Sequence, residues 1–250
     1  MIKPQILKKF IRDYWGYGDF TAPIWVVGME EACDNTKEDF ERRILTWSDR
    51  GEKKLDDAAG FHEAILDKGK TGLFRRGAKL QRTWAKLIRA YLAAYGEKTD
   101  TETARDFQID VLGRSATQPI QTCFIELMPL PAPSTAKWGH VVAASGLECL
   151  QSRKEYLTKI APKRVKALEA LVREHRPKAV IFYGSTYQRF WDDVVNCVGA
   201  GFARLDGERN IQRAQNEHTV FFSIPHPVAR GVKNIDYVRV GEEIRARLWQ

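Results

Sequence analysis

Residues 23–29 read PIWVVGM, and how that short run is understood decides the fold. It is apolar, partly β-branched, and does not alternate with polar residues. A strand with one wet face alternates, whereas a strand buried on both faces reads as a continuous apolar run. Three more runs share this character: QTCFIELM at 121–128, KAVIFYG at 178–184 and TVFFSIP at 219–225. Segments with helical periodicity lie between them. Residues 81–96 set Trp84, Leu87, Ile88, Tyr91 and Leu92 on one stripe and stop at Gly96. Residues 162–177 group Val165, Leu168, Leu171 and Val172, with Pro162 expected to open the helix and Pro177 to close it. Residues 185–199 start on Ser185 as a candidate N-cap, and 234–249 read as a C-terminal amphipathic helix. Such alternation predicts an α/β fold: a three-layer α/β/α sandwich around a central four-stranded, mainly parallel sheet. No repeat, low-complexity tract or linker divides the chain, so a single domain over 1–250 is expected, with an insertion at 34–70.

Composition narrows the class. The 250 residues are 44% hydrophobic and 29% charged, which is ordinary for a soluble globular protein. No apolar run approaches the roughly 20 residues of a membrane span. The N-terminal stretch MIKPQILKKFIRDYWGYGDF lacks the apolar core and cleavage site of a signal peptide and reads as an amphipathic helix. A cytoplasmic monomer without membrane contact is the expectation. The net charge of +8 favours a polyanionic partner, DNA first. Part of that excess is clustered in KGKTGLFRRGAKLQRTWAK at 68–86, which carries Lys68, Lys70, Arg75, Arg76, Lys79, Arg82 and Lys86 and no acid. Glycine and aromatic residues interleave there, as in loops that track phosphates. Cys33, Cys123, Cys149 and Cys197 show no C-x-x-C spacing, so no zinc site, other metal or cofactor is expected. They are read as free thiols, mostly buried, since a cytosolic chain seldom forms disulfides.

Ligands of open α/β sheets sit at the carboxyl ends of the strands. The first run ends in GMEEAC and supplies Glu30 and Glu31; the second carries Glu126 in FIELMPLPAP; the fourth delivers His226 in IPHPVAR. Pro225 and Pro227 flank that histidine, ending ladder pairing and stiffening the backbone. A lone His-Pro is most often a strand that simply stops. Acids from two strand ends and an imidazole from a third are more than a random sheet usually provides. The third run ends in YGST, which is not the Gly-x-Ser-x-Gly elbow of a serine hydrolase. His62, His140, His175 and His218 are assigned no role.

With these residues in view, the chain resembles the uracil-DNA glycosylase superfamily. That family opens with a strand and a Gly-x-[Asp/Asn/Ala]-Pro-[Tyr/Gly] loop, where VVGMEEA stands here. Its Gly-x-Pro-Phe-x-Gly-x-Ala-Gly-x-Leu-Leu run is echoed by TGLFRRGAKLQ, and its Asn-bearing second strand by FIELMPLPAP. RPKAVIFYGSTYQRFW matches the next strand and helix, and PHPVAR occupies the place of the closing His-Pro-Ser-Pro-[Leu/Arg]. The order covers residues 22 to about 245. Five positions depart: Glu31 for the loop Pro, Ala32 for the following Tyr or Gly, Glu126 for the uracil-reading Asn, and Val228 and Ala229 for Ser-Pro. The iron–sulfur cysteines of some branches have no counterpart.

The resemblance implies a divergent, monofunctional DNA glycosylase that flips a base into a pocket and hydrolyses its N-glycosidic bond to leave an abasic site. It implies that Glu30 lies on the sugar side, stabilising positive charge and aligning water. His226 would donate to the departing base, as preorganised dipoles do at developing oxyanions, with the two prolines aiming its ring. Gly28 and Met29 would contact the base, and Phe74 would stack on it unless it serves core packing instead. Arg75, Arg76 and Lys79 would bind DNA, as would Arg230, either as a wedge in the vacated stack or on a phosphate. Glu31 reads as solvated or structural in preference to a second catalytic acid. An ionised Glu126 only accepts hydrogen bonds, which suits the cytosine N4 amine and not uracil O4, and Ala32 leaves room beside C5. A C5-modified cytosine, as in hypermodified viral DNA, is therefore the expected substrate, in DNA repair or antiviral defence. Alternatives are uracil-DNA glycosylase activity, a catalytically silent DNA-binding module on the same fold, and a nucleotide hydrolase unrelated to DNA.

Overall fold

A computed structural model describes residues 2–66, 72–114, 121–134, 137–205 and 210–248. Lys68 and Lys70 of the basic segment lie outside these residues. The apolar runs form β2 (Ile24–Gly28), β4 (Cys123–Glu126), β5 (Ala179–Tyr183) and β8 (Val220–Ile224). They lie side by side and parallel: β4 on β2, β2 on β5, β5 on β8. Their side chains alternate between two cores. Trp25, Val27, Val180, Phe182 and Phe221 belong to one; Ile24, Val26, Ile181, Phe222 and Ile224 belong to the other. Burial on both faces is why these strands read as continuous apolar runs.

The sheet is larger than the expected four strands. Among the described residues it has eight and is mixed, in the order β3-β1-β4-β2-β5-β8-β7-β6. The additional strands are β1 (Gly16–Gly18), β3 (Leu55–Asp56), β6 (Ala203–Arg204) and β7 (Gln212–Gln215). β1 runs antiparallel to β4, and β7 antiparallel to β8. These strands are two to four residues long and glycine-rich or polar, so no apolar run betrays them.

Nine helices occur among the described residues. α1 (Pro4–Asp13), α2 (Lys37–Asp49), α3 (Ala58–Ala64), α6 (Gly139–Ser145), α7 (Arg153–His175) and α8 (Gln188–Cys197) pack on the Trp25 face. α4 (Arg82–Tyr95), α5 (Thr101–Asp110) and α9 (Asn234–Leu248) cover the other. Two helix starts differ from expectation. Pro162 sits inside α7, whose start is set by Ser152 as N-cap: its hydroxyl oxygen accepts from the Glu155 N–H at 3.1 Å, and the hydroxyl lies 3.3 Å from Glu155 Oε2. Ser185 opens a short 3₁₀ turn (Ser185–Tyr187) and does not cap α8, which begins three residues later. The described part of the 34–70 region, 34–66, is built of α2, β3 and α3, with β3 pairing to β1, and 67–70 lie outside the described residues. Among the thiols only Cys123 is buried; Cys33 and Cys149 are half-buried and Cys197, at the solvent end of α8, is exposed. No described helix is long and apolar enough to cross a membrane.

Candidate active site

The loops leaving β2 and β4 stay paired beyond the strands. Leu127 N–H donates to the Gly28 carbonyl at 2.9 Å, Met128 to Met29 at 2.7 Å, and Ala132 to Glu31 at 3.0 Å. This zipper carries Glu30, Glu31 and Glu126 to one place. Behind it, Arg164 of α7 spends its guanidinium on the carbonyls of Ile11, Arg12, Tyr14, Glu126 and Leu127. Burial pulls the Arg164 pKa down to about 9, which leaves the cation intact at neutral pH. A fully buried charge tied to these carbonyls fastens the N-terminal helix to the exit of β4.

A pocket of about 160 Å³ opens at this end of the sheet, lined by Glu30, Glu31, Glu126 and His226 together with Tyr17, Trp84 and Tyr183. Glu30 and Arg153 are both nearly buried, 9% and 11% exposed, and meet at 2.5 Å through Oε1 and Nη2. Burial raises the Glu30 pKa, and Arg153 only partly offsets that. The contact is an ion pair whose acid protonates more readily than an exposed carboxyl. Glu30 Oε2 is buried and has no hydrogen-bond partner among the described residues. Gly28 lies beneath: a Cβ there would stand 2.2 Å from the Tyr183 hydroxyl and 2.9 Å from Glu126 Oε2. Glycine is required because the phenol and the carboxylate close over its α-carbon. Burial, with Glu126 next, lifts the Tyr183 pKa well above the ordinary value, so its hydroxyl keeps its proton and remains a donor.

His226 arrives from the other side. Its Nδ1 accepts the Val228 N–H at 3.3 Å and its carbonyl accepts the Ala229 N–H at 2.8 Å, a tight turn closed on the ring itself. Tyr237 of α9 pins the turn by donating to the Pro225 carbonyl at 2.8 Å, and Tyr183 packs edge-on to the imidazole at 5.4 Å. A nitrogen that accepts a backbone N–H bears no proton in the neutral ring, so Nε2 carries it. Burial lowers the His226 pKa and favours that neutral form.

The remaining expected residues are dispersed. Met29 is buried, with its carbonyl in the zipper. Phe74 does not line the pocket: its ring stacks on His62 at 6.2 Å and touches Trp84 at 5.5 Å, and the Arg114 guanidinium lies over it at 5.5 Å. Trp84 is the aromatic that reaches the pocket wall. Arg75, Arg76, Lys79 and Arg230 are exposed. Arg76 pairs with Asp106 at 3.0 Å and Asp110 at 2.9 Å on α5, while Arg75 lies 3.9 Å from Glu63.

Sequence reasoning passed over the surroundings of Glu31. This residue is 13% exposed, receives the Tyr17 hydroxyl at 2.9 Å, and lies 3.4 Å from His62 Nε2 and 3.6 Å from Arg43 Nη1. Arg43 in turn holds Asp39 at 2.9 Å. Burial works against the Arg43 charge, but Glu31 and Asp39 outweigh it and keep the guanidinium well above its usual value. A signal for Arg43 was present: it falls on the helix face of Phe40, Ile44 and Trp47, with Asp39 one turn before it. Comparison with protein-family models finds no match, and comparison with curated proteins finds none of significant similarity.

Proposed function

We propose that this chain is a monofunctional DNA glycosylase on a three-layer α/β/α sandwich whose core is the four parallel strands. The observation that carries the reading is the convergence of Glu30, from the end of β2, and His226, from the end of β8, on one pocket of about 160 Å³. That volume lies below the ~300–1,000 Å³ of sites for drug-sized ligands and suits one planar ring. A base turned out of the DNA stack is such a group. As its bond to the sugar stretches, positive charge grows on the sugar and negative charge on the base. Glu30 serves the first and the Nε2–H of His226 the second. The carboxylate-rich wall disfavours a phosphate inside the pocket, so the DNA backbone stays outside, along the exposed cations after Gly72 and the turn after His226.

Glu126 and the hydroxyl of Tyr183 form the base-reading wall, and Ala32 and Ala58 are the small residues beside it. An ionised Glu126 accepts from an amine, so cytosine carrying a C5 substituent is the proposed base, and base excision from viral or damaged DNA in the cytoplasm by a monomer is the proposed setting. The test is a panel of oligonucleotides containing uracil, cytosine and C5-modified cytosines, followed by alkali, with wild type and Glu126→Asn. Strand scission at a C5-modified cytosine is expected. Scission at uracil alone overturns the substrate, and absence of scission at every base overturns the enzyme. The Arg153–Glu30 ion pair favours one second reading, a silent DNA-binding module, since it neutralises the carboxylate on which turnover would depend. Retained DNA binding without abasic sites is its signature.

A further inference from the structure

We propose that Arg153 is a positioning residue of the excision reaction: it holds Glu30 by one oxygen, Oε1, and leaves the other, Oε2, to take the proton of the attacking water. This rests on the glycosylase reading and adds to it a residue outside the pocket lining. Arg153 gives Glu30 a single nitrogen, Nη2, at 2.5 Å. A forked arginine–carboxylate pair would occupy both oxygens, whereas this one occupies Oε1 alone. Oε2 is buried and has no hydrogen-bond partner among the described residues. A buried acceptor left unsatisfied is costly, and folds seldom keep one without a task. Glu30 lines the pocket, and a water placed there to attack the sugar would satisfy Oε2.

Arg153 is itself fixed. It is the first residue of α7, beside the N-cap Ser152, and its guanidinium lies over the Trp138 ring at 5.7 Å. Trp138 stacks on Tyr156 at 4.9 Å, and the Tyr156 hydroxyl accepts the Leu130 N–H at 2.9 Å in the loop after β4. Arg164 ties the same helix to the Glu126 and Leu127 carbonyls, so the clamp and the strand exit share one frame. Burial opposes charge on both partners. It works against the Arg153 cation, but Glu30 outweighs it and the cation persists. It pushes the Glu30 pKa up, and Arg153 limits that rise. Oε2 is thereby a readier proton acceptor than an exposed carboxylate, while the anion stays available. The other titratable groups around Glu30 are Tyr156 on α7 and Tyr187 in the 3₁₀ turn, both held protonated chiefly by burial, and Glu31, Glu126 and His226 on the pocket wall. In the step, the C1′–N bond breaks and its electron pair leaves with the base, whose anion the His226 Nε2–H holds until solvent protonates it. The water oxygen bonds C1′, its proton passes to Glu30 Oε2, and Glu30 returns that proton to solvent. Glu30 is the catalytic base, and Arg153 acts through it.

The experiment is the pH profile of single-turnover excision from an oligonucleotide carrying the base that wild type releases in the panel. Release is expected to fall in acid as Glu30 takes up a proton. Arg153→Met leaves burial unopposed, so this acid limb is expected to move up by about one pH unit or more. At about pH 7 the same variant is expected to release the base at least ~10-fold more slowly, with DNA affinity near wild type. Arg153→Lys keeps the charge and is expected to bring the limb back toward its wild-type place. Arg153→Gln loses the charge and keeps a donor; it is expected to move the limb in the same direction as Arg153→Met and serves if that variant does not fold. In a Glu30→Gln background Arg153→Met is expected to cost less than about threefold, because no carboxylate remains to be held. Burial alone moves the His226 pKa, so its titration is common to all these variants. An acid limb within about 0.3 pH unit of wild type overturns the assignment while the glycosylase reading stands. So does a loss equally large in the Glu30→Gln background, which marks a merely structural arginine, or a release that quickens without the arginine, which marks the pair as a brake. A wild type that releases no base removes the glycosylase reading, and this assignment with it.

Discussion

The two ends of the sheet both carry charge and cavities, and they differ in how the charge is held. At the amino end, spaces of about 280 and 410 Å³ are lined by Arg173, Arg176, Lys178, His218 and Arg247. At the carboxyl end the pocket is smaller, about 160 Å³. Yet Arg173 and Glu217 at the amino end are 58% and 86% exposed, whereas the side chains of Glu30, Glu31, Arg43 and Arg153 are all nearly buried. Exposed cations at the amino end sit in the last turns of α7 and α9, where they complement the helix dipoles. That is sufficient reason for them. Taking a carboxylate out of water is costly and is tolerated only with partners in place. Burial of charge, and not volume, therefore marks the end where chemistry is expected.

The comparison breaks if the carboxyl end can lose its groups without consequence. Glu30→Gln and His226→Ala are each expected to slow excision by at least ~100-fold with DNA affinity little changed, the scale of one missing electrostatic or acid–base partner. Near wild-type rates in both would remove the mechanism. Next in size is Gly28→Ala. Its new methyl would meet the Tyr183 hydroxyl and the Glu126 carboxylate, both closer than van der Waals separation allows. Overpacking of this kind destabilises by ~1–3 kcal/mol. Denaturant melts should show it, and excision should fall because the base-reading wall is displaced. An unperturbed melt would mean that Tyr183 and Glu126 move aside freely.

Much of the fold was legible because burial on two faces writes itself into sequence. Ile24–Gly28, Ala179–Tyr183 and Val220–Ile224 could be read to within a residue or two. Gly16–Gly18 could not: its three residues carry two glycines and take their place by pairing with Cys123–Ile125, a long-range event without a local signal. Pro162 misled because a proline is usually read as a boundary, while the N-cap Ser152, accepting the Glu155 N–H, set the true start of α7. In the site, Glu30, Glu126 and His226 were legible as strand ends. The neighbours of Glu31 were not. Tyr17 reaches it from a three-residue strand set between β3 and β4, and Arg43 and His62 come from a region that looked like a polar insertion. Phe74 shows the converse: the residue was placed by resemblance, and Trp84, ten positions on, lines the pocket.

A smaller effect concerns the surface outside the pocket. Arg75→Gln with Arg76→Gln should weaken binding to all DNA sequences and flatten the dependence of log K on log salt by about one for each phosphate no longer neutralised. Arg76 is already shared with Asp106 and Asp110, so Asp106→Asn should act in the opposite direction and strengthen binding. Titrations at several salt concentrations check both, and an unchanged slope places the DNA elsewhere. Acidification offers a related test. The folded state binds a proton on His226 less readily than the unfolded chain, since burial lowers its pKa from 6.5. Its contribution to stability is complete above that unfolded value and is lost as pH falls through the folded one. Protonation also places a hydrogen on Nδ1, against the Val228 N–H. Melts from about pH 7.5 to 5 should fall more steeply for wild type than for His226→Ala. Equal slopes would mean that the ring titrates as it does in the unfolded chain.

The smallest expected effect lies at the amino end, and it sharpens the contrast most directly. Arg176 and Arg247 border the larger cavities, one from the turn that ends α7 and one from the last turn of α9. Arg247 donates to the Glu217 carbonyl at 2.7 Å, a surface hydrogen bond. Substitutions at such places usually stay within about ±0.5 kcal/mol. Arg176→Gln and Arg247→Gln should therefore leave excision at its wild-type rate and the melting midpoint nearly unmoved, while Glu30→Gln, in a smaller cavity, abolishes most turnover. Rate measurements on the same oligonucleotide settle the point. A loss of excision from the amino-end pair would show that cavity size had been the better guide, and that cations far from the buried acids take part in the reaction.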